Sequence, residues 1–341
     1  MKSTTLLLAL GFTLGIAAIE TLKADTFGGG SNTFTIDFVT VGNVGNADDA
    51  GAGGGIYSSP YGGVNYSYRM GVYEISKQQI NFATNLGLAN VPSGVYTSDK
   101  PATGLTWNQA AAFVNWLNTS SGHQAAYNLT YNGGWTLNLW SSAQAWQQGG
   151  ENLFRHKDAY YFLPSEDEWY KSAFHKNDGV TANYWDYATG SNSAPTPIGS
   201  TGGNATGTAV YSQGSNTPAD VSNAGGLSPY GTMAQNGNVW EWIEGALDGT
   251  NNNPTETRMI RGGYAQNPNT YLTPNAGRLD FDATNVNYDV GFRVASIGGT
   301  ASVPEPGQVA SSLLLLVLGA AGVAIHRRRL KKRASKSTAS L

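Results

Sequence analysis

Four short strings stand in fixed order along this chain and constrain its fold more than any other feature. They are Leu163-Pro164-Ser165-Glu166-Asp167-Glu168-Trp169, Gly237-Asn238-Val239-Trp240-Glu241-Trp242, Arg261-Gly262-Gly263 and Gly291-Phe292-Arg293-Val294-Ala295. Each joins an apolar or glycine position, where backbone must pack closely, to an Arg or Glu that needs a partner. No cysteine occurs in the 341 residues. The chain therefore has no disulfide, no thiolate nucleophile and no thiolate-bound metal.

Charged residues make up 13% and the formal net charge is -3, with a basic cluster only at the extreme C-terminus. Nucleic-acid binding, which needs a basic patch with interleaved aromatics, is not expected. The histidines are His123, His156, His175 and His326, at spacings that match no common zinc or iron motif. Gly, Asn, Ser, Thr and Tyr are abundant, which points to a loop-rich domain with turns in place of long helices.

Both ends read as address labels. Residues 1–24 have the Lys2 start and short apolar stretch of a secretory signal peptide. Cleavage after Ala24, Ala17 or Ala18 fits, and an uncleaved anchor is the alternative. Near the other end, Val303-Pro304-Glu305-Pro306 precedes an apolar, charge-free run at 309–325 and then His326-Arg327-Arg328-Arg329-Leu330-Lys331-Lys332-Arg333. Positive charge stays on the cytoplasmic side, so residues 25–302 are expected outside. The three parts, over residues 303–333, resemble the PEP-CTERM sorting signal of Gram-negative bacteria. That resemblance implies an exosortase-type sorting protease as partner, a transient inner-membrane anchor through the helix, and a cell-surface or extracellular destination. A permanent single-span anchor is the plainer alternative.

Between the labels, residues 25–32 read as a short Gly-rich lead. Residues 33–39 alternate with period 2, placing Phe34, Ile36 and Phe38 on one face of a strand. Residues 43–63 read as an exposed loop and 66–73 as strand. Three helix starts share one signature, Ser76 with Gln79, Thr106 with Gln109 and Ser165 with Glu168. Each is a capping box, a hydroxyl three residues before an amide or carboxylate that reaches back. Helices are predicted over 77–86, 107–117 and 166–174. Glu166, Asp167 and Glu168 then lie in a first turn, where the helix dipole favours negative charge over acid–base work. Asn132-Gly133 signals a two-residue type I′ hairpin. Residues 178–226 read as irregular connections inside one domain.

Together with Met70-Gly71-Val72-Tyr73-Glu74-Ile75-Ser76 and Pro101-Ala102-Thr103-Gly104-Leu105-Thr106-Trp107, the four strings resemble the sulfatase-modifying-factor, or formylglycine-generating-enzyme-like, family over roughly residues 33–296. The resemblance implies an α+β variant of the C-type lectin fold, with few regular elements and long ordered loops. Active members oxidise a substrate cysteine with copper-binding cysteines that follow the Arg-Gly-Gly segment. Counting on without gaps places Asn267 and Leu272 there. Soft copper(I) prefers sulfur, so copper is not expected. The family's iron-dependent branch needs a histidine-rich site that this chain lacks.

The resemblance also implies structural calcium near Asn238 and Glu241, weakened because Ala234 replaces a carboxylate or amide. The plainer alternative is that Trp240 and Trp242 are core and Glu241 bonds within the protein. No cofactor is assigned on sequence alone. In lectin-fold relatives the stretch after Arg-Gly-Gly forms the ligand face, and here it is rich in Tyr and Asn, a paratope-like composition. Its candidate ligand-binding residues are Tyr264, Asn267, Asn269, Tyr271, Arg278 and Asp280. Arg261, Arg278 and Arg293 are expected to pair with Asp280, Asp282 or Asp289.

The sequence thus points to an exported, non-catalytic lectin-fold module that binds a glycan or protein. A divergent metal-dependent oxidase and a structural matrix protein are the alternatives.

Overall fold

The computed structural model of the chain describes residues 23–51, 60–274 and 277–297. The expected sorting signal, with Pro304, Glu305 and Pro306, lies outside the described residues, as does all but the end of the expected leader. The described part is α+β, with three α-helices and otherwise short strands and ordered turns.

The chain enters through β1 (Lys23–Phe27), turns at Gly30–Asn32 and returns as β2 (Phe34–Val41). The alternation in β2 buries Phe34, Ile36 and Phe38, each worth about 1.5–3 kcal/mol as area removed from water. The expected lead is therefore a strand. β1 pairs along its whole length with β2, Phe27 is buried, and Asp25 accepts both Arg69 terminal nitrogens and the Tyr161 hydroxyl. Gly-rich composition hid a strand whose anchors are one aromatic and one carboxylate.

β3 (Tyr68–Gly71) leads to α1 (Lys77–Asn85) and α2 (Trp107–Ser120). Both helices begin with the predicted capping box, closed in both directions. Trp107, Ala111, Val114 and Leu117 are buried as their spacing requires, but Ala110, Ala112 and Phe113 are buried too, so α2 is covered on most sides. The hairpin of β4 (Asn128–Tyr131) and β5 (Trp135–Asn138) forms where Asn132-Gly133 signals it. Tyr131 lies opposite Trp135, which leaves three residues in the turn and not two, with Gly133 at φ +71°.

Next come β6 (Ala145–Trp146), β7 (Asn152–His156), β8 (Tyr161–Phe162) and α3 (Glu166–Phe174), again with its box closed. The following stretch is irregular as expected, with one small parallel pair, β9 (Thr196–Ile198) and β10 (Thr208–Val210). The described part ends in β11 (Trp240–Ala246), β12 (Arg258–Arg261), β13 (Arg278–Phe281), β14 (Val290–Phe292) and β15 (Ala295–Ile297).

Two sheets carry the domain. One has the order β1-β2-β3-β15-β8 and the other β13-β12-β11-β14. The last strand thus sits inside the sheet that the first strand edges. Register places Ile297 beside Tyr68 and Tyr68 beside Val41, so the chain enters β1 and leaves β15 at the same end of that sheet. A main core joins Phe38, Tyr68, Trp107, Phe113, Trp242 and Phe292 across both sheets and α2. A second cluster packs Trp169, Tyr170 and Phe174 of α3 on Ile243 and Met259.

Among the described residues no helix is long and apolar enough to cross a membrane. The apolar run at 309–325 lies outside them.

Candidate functional site

Three buried clusters of arginine and glutamate, five ion pairs in all, tie the four strings to one another and to neighbouring strands. Arg155 on β7 lies between Glu168 of α3 (3.0 Å) and Glu244 of β11 (2.7 Å), and all three side chains are almost wholly buried. Tyr127 donates to Glu244 at 2.9 Å and Asn152 also donates to it. One guanidinium thus serves two carboxylates. Burial pushes Glu168 up, but the Arg155 charge and its hydrogen bonds outweigh that and hold it below the usual range. Burial wins at Glu244, which is raised despite Arg155.

Glu166, one residue into α3, receives both Arg261 of β12 and Arg278 of β13. Burial raises its pKa, and the two guanidiniums more than reverse that. Arg293 makes a two-pronged contact with Glu241, at 2.6 Å to each oxygen, and donates to the Gly71, Val72 and Met233 carbonyls. Sequence reasoning gave these arginines carboxylate partners but chose nearby aspartates. The partners in view are glutamates from α3 and β11, while Asp282 caps its own turn through Thr284. Glu166 and Glu168 do sit in a capped first turn, yet their carboxylates are spent on arginines across the core.

The calcium expectation at Asn238 and Glu241 does not fit this arrangement. Both Glu241 oxygens accept from Arg293, and one also accepts the Trp169 indole N–H at 2.8 Å. Asn238 accepts the Ala219 N–H at 2.8 Å and donates to Glu74 at 2.6 Å. Every oxygen of the two side chains already accepts a hydrogen bond, and a dication beside Arg293 would meet like charge. The plainer alternative matches the geometry, since Trp240 and Trp242 are buried. Glu74 is the remainder of this cluster. Burial pushes its carboxyl well up and the Glu241 charge adds to the shift.

The turn that follows β12 is built on glycines. Gly262 and Gly263 have φ of +103° and +78°, conformations that a side chain resists. Asn267 then closes the turn on itself, accepting the Tyr264 N–H at 2.9 Å through its side chain. Backbone bonds from Ser212 to Asn267, from Gln213 to Ala265 and from Ala265 to Asn238 staple it to the body. A short helical turn at Asn269–Leu272 ends with Leu272 at 0% exposure, packed with Tyr187, Ala209 and Tyr211. A Cβ at Gly263 would meet Leu272 Cδ2 at 3.0 Å and Asn267 Oδ1 at 3.4 Å. The two positions singled out by gap-free counting therefore converge on one glycine. Their groups are a core methyl and a carboxamide oxygen already engaged, and they do not fit copper.

The candidate ligand residues divide. Tyr264, Asn267, Asn269 and Tyr271 share the turn, with Asn269 and Tyr271 exposed and Tyr264 half-buried. Arg278 is drawn inward to Glu166, and Asp280 lies on β13 opposite Met259. Tyr288 and Tyr96, which were not singled out as ligand residues, meet one another. Tyr288 is 59% exposed, and the Tyr96 hydroxyl reaches the Tyr288 carbonyl at 3.4 Å. Tyr96 lies far upstream, so only the fold could show this neighbourhood.

Residues 64–297 match the sulfatase-modifying factor enzyme 1-like domain (FGE-sulfatase). The chain belongs to this family. No curated protein sequence matches it. Among solved structures, a Treponema denticola variable protein 1 aligns with a TM-score of 0.52 at 18% identity, covering 81% of this chain and 99% of that one. CarF aligns with a TM-score of 0.52 at 18% identity, covering 77% and 99%. PvdO from Pseudomonas aeruginosa gives 0.48 at 14% identity, covering 80% and 98%. At such identities the first two likenesses speak for the fold alone, which is the formylglycine-generating-enzyme-like α+β fold expected from the strings.

Proposed function

We propose that this FGE-sulfatase domain is a non-catalytic binding module whose exposed turn meets a glycan or protein. In this reading the chain is exported and sorted by an exosortase-type protease to the cell surface or extracellular matrix. The observation that carries the proposal is the pair at Gly263. Leu272 is core and Asn267 is the keystone of its own turn, so positions that hold thiolates in active relatives serve here to shape a surface. That surface presents Tyr271 and Asn269 outward, residues that give rigid contact area and adaptable hydrogen bonds. Function rests on this site and not on the fold, which hosts other chemistries in other members.

The test begins with metal content. Purified protein is incubated with copper, iron or calcium, desalted and assayed, then applied to a glycan array and to a pull-down from surface material. Retention of no redox metal together with binding to a defined surface polymer is the expected result. Stoichiometric copper or iron would overturn the reading in favour of a divergent oxidase. Mass spectrometry of protein recovered from the producing cell tests the sorting proposal, which predicts loss of residues 309–325.

A further inference from the structure

His175 closes the end of α3 with its side chain wholly buried. Its Nδ1 accepts two hydrogen bonds, from the Tyr230 hydroxyl at 2.9 Å and from the Asn177 backbone N–H at 3.1 Å. A ring nitrogen that accepts carries no proton, so the proton of the neutral ring lies on Nε2. Nε2 faces the carbonyl and hydroxyl oxygens of Thr181, each at 3.3 Å. The ring is the centre of a knot of three chain segments. Asn177, at φ +56°, accepts the Asn43 side-chain amide at 2.8 Å and donates to the Pro229 carbonyl at 3.2 Å. Asn43, at φ +51°, also donates to the Tyr230 hydroxyl at 3.0 Å.

A second ring proton would sit on Nδ1 and oppose both donors. Tyr230 can turn its hydroxyl round and accept. The Asn177 N–H is fixed in the backbone and would be left facing another N–H. The imidazolium would also lack a free counter-charge. Lys171, one turn earlier on α3, repels it, and the attraction of Asp178 is weaker than the cost of burial. Both Asp178 oxygens are engaged already, by the Thr181 hydroxyl at 2.5 Å and the Asn183 amide at 2.9 Å. The other ionisable neighbours are Tyr230 and Tyr184, whose ring stands edge-on to His175 at 5.1 Å between centroids. Burial is the largest cause holding the His175 pKa below its usual value.

His156 supplies the contrast. Its Nδ1 likewise accepts the N–H two residues on, from Asp158 at 3.1 Å, but the exposed Asp158 carboxylate stands 3.8 Å from that nitrogen, ready to meet a proton. At His175 the same local turn has distant segments tied to it and no such carboxylate. The Tyr230 turn also supplies Ser228 and Thr232 to a neutral cleft that Thr189, Gln235 and Asn236 help to line.

We propose that His175 is an acid-operated latch, whose protonation at Nδ1 releases residues 176–184 from the Asn43 and Tyr230 turns and loosens that wall of the cleft. The latch is independent of what the Gly263 turn binds. Because the folded ring resists the proton, its contribution to stability is complete above the unfolded value near 6.5 and is lost as pH falls through the folded one.

The test measures amide exchange of the full-length protein at about pH 7.5 and about pH 4.5, expressed as protection factors so that intrinsic rates cancel. Nitrogen-15 spectra of histidine-labelled protein are recorded alongside. At the higher pH, His175 should show the Nε2–H tautomer. At the lower pH, protection should fall tenfold or more at Lys176, Asn177, Trp185 and Thr232, whose amides are bonded in the latched state. β2 and β12 should keep theirs. His175→Asn sets a carboxamide oxygen, which does not titrate, near the place of Nδ1 and should abolish the response. Should that variant not fold, the wild-type midpoint decides, since it must follow the titration of His175 and not that of His123 or His156. An Nδ1–H tautomer at the higher pH, a uniform loss across all strands, an acid response surviving in His175→Asn, or a midpoint that follows another histidine overturns the latch.

Discussion

The buried frame around Arg155 and the exposed turn around Gly263 come from the same family strings, yet they differ in what they tolerate. In the frame, every Arg and Glu is locked to a partner from a distant stretch, Arg155 to Glu168 and Glu244, Arg261 and Arg278 to Glu166, Arg293 to Glu241. On the turn, Leu272 is buried and Asn267 bonds back to the turn's own backbone. The frame needs all of its charges at once, because a buried ion that loses its partner is left uncompensated. The turn needs only a backbone path and an outward surface. The scaffold therefore constrains its residues far more tightly than the turn does.

Mutations can break or sharpen that contrast. Arg155→Met leaves Glu168 and Glu244 facing one another without a counter-ion. A loss of about 3–5 kcal/mol is expected in urea unfolding. A loss under about 1 kcal/mol would mean that the frame is ornamental and the comparison mistaken.

Leu272→Ala tests whether position 272, where gap-free counting places a cysteine of active relatives, is core in this chain. Removing a fully buried Leu should cost about 2–5 kcal/mol. A near-neutral effect would point to an open, ligand-accessible position.

Lys171 offers a test of opposite sign. It is buried on α3 with one hydrogen bond, to the Asn43 carbonyl at 3.1 Å, and burial lowers its pKa to about 8. Between that value and the unfolded one near 10.5, the unfolded chain binds more protons. The stability contributed by this group therefore rises as pH climbs through that window. Lys171→Met should stabilise the protein at pH 7 by about 1–3 kcal/mol, and should flatten the rise measured between pH 8 and 9. A variant less stable than wild type at pH 7 would show that the ammonium has a partner worth more than its desolvation.

The smallest expected effect is Asn269→Ala, on the exposed turn. Its unfolding free energy should stay within about 0.5 kcal/mol of wild type, while affinity for a surface ligand drops. A large stability change there would make the turn part of the frame.

Much of the fold was legible because its signals are local. The capping boxes at Ser76, Thr106 and Ser165 are read within four residues, and the alternation of Phe34, Ile36 and Phe38 within five. β1 was missed because two anchors in a Gly-rich stretch make no periodic pattern. The hairpin was found, but its turn length depends on register, which cross-strand pairing decides. Charge pairing was legible in kind and not in address. Any of several acids could complete Arg261, Arg278 or Arg293, and only topology brings Glu166 and Glu241 to them.

The position of β15 has a mechanical consequence. A tension applied at Ile297 runs along a strand held on both sides, by β3 and by β8. Such a load meets its ladder hydrogen bonds in shear, all together, and not one after another as peeling from an edge would. β1, at the edge of the same sheet, has a neighbour on one side only. The end of the chain that leads toward the C-terminal segment is thus the one built to bear a pull.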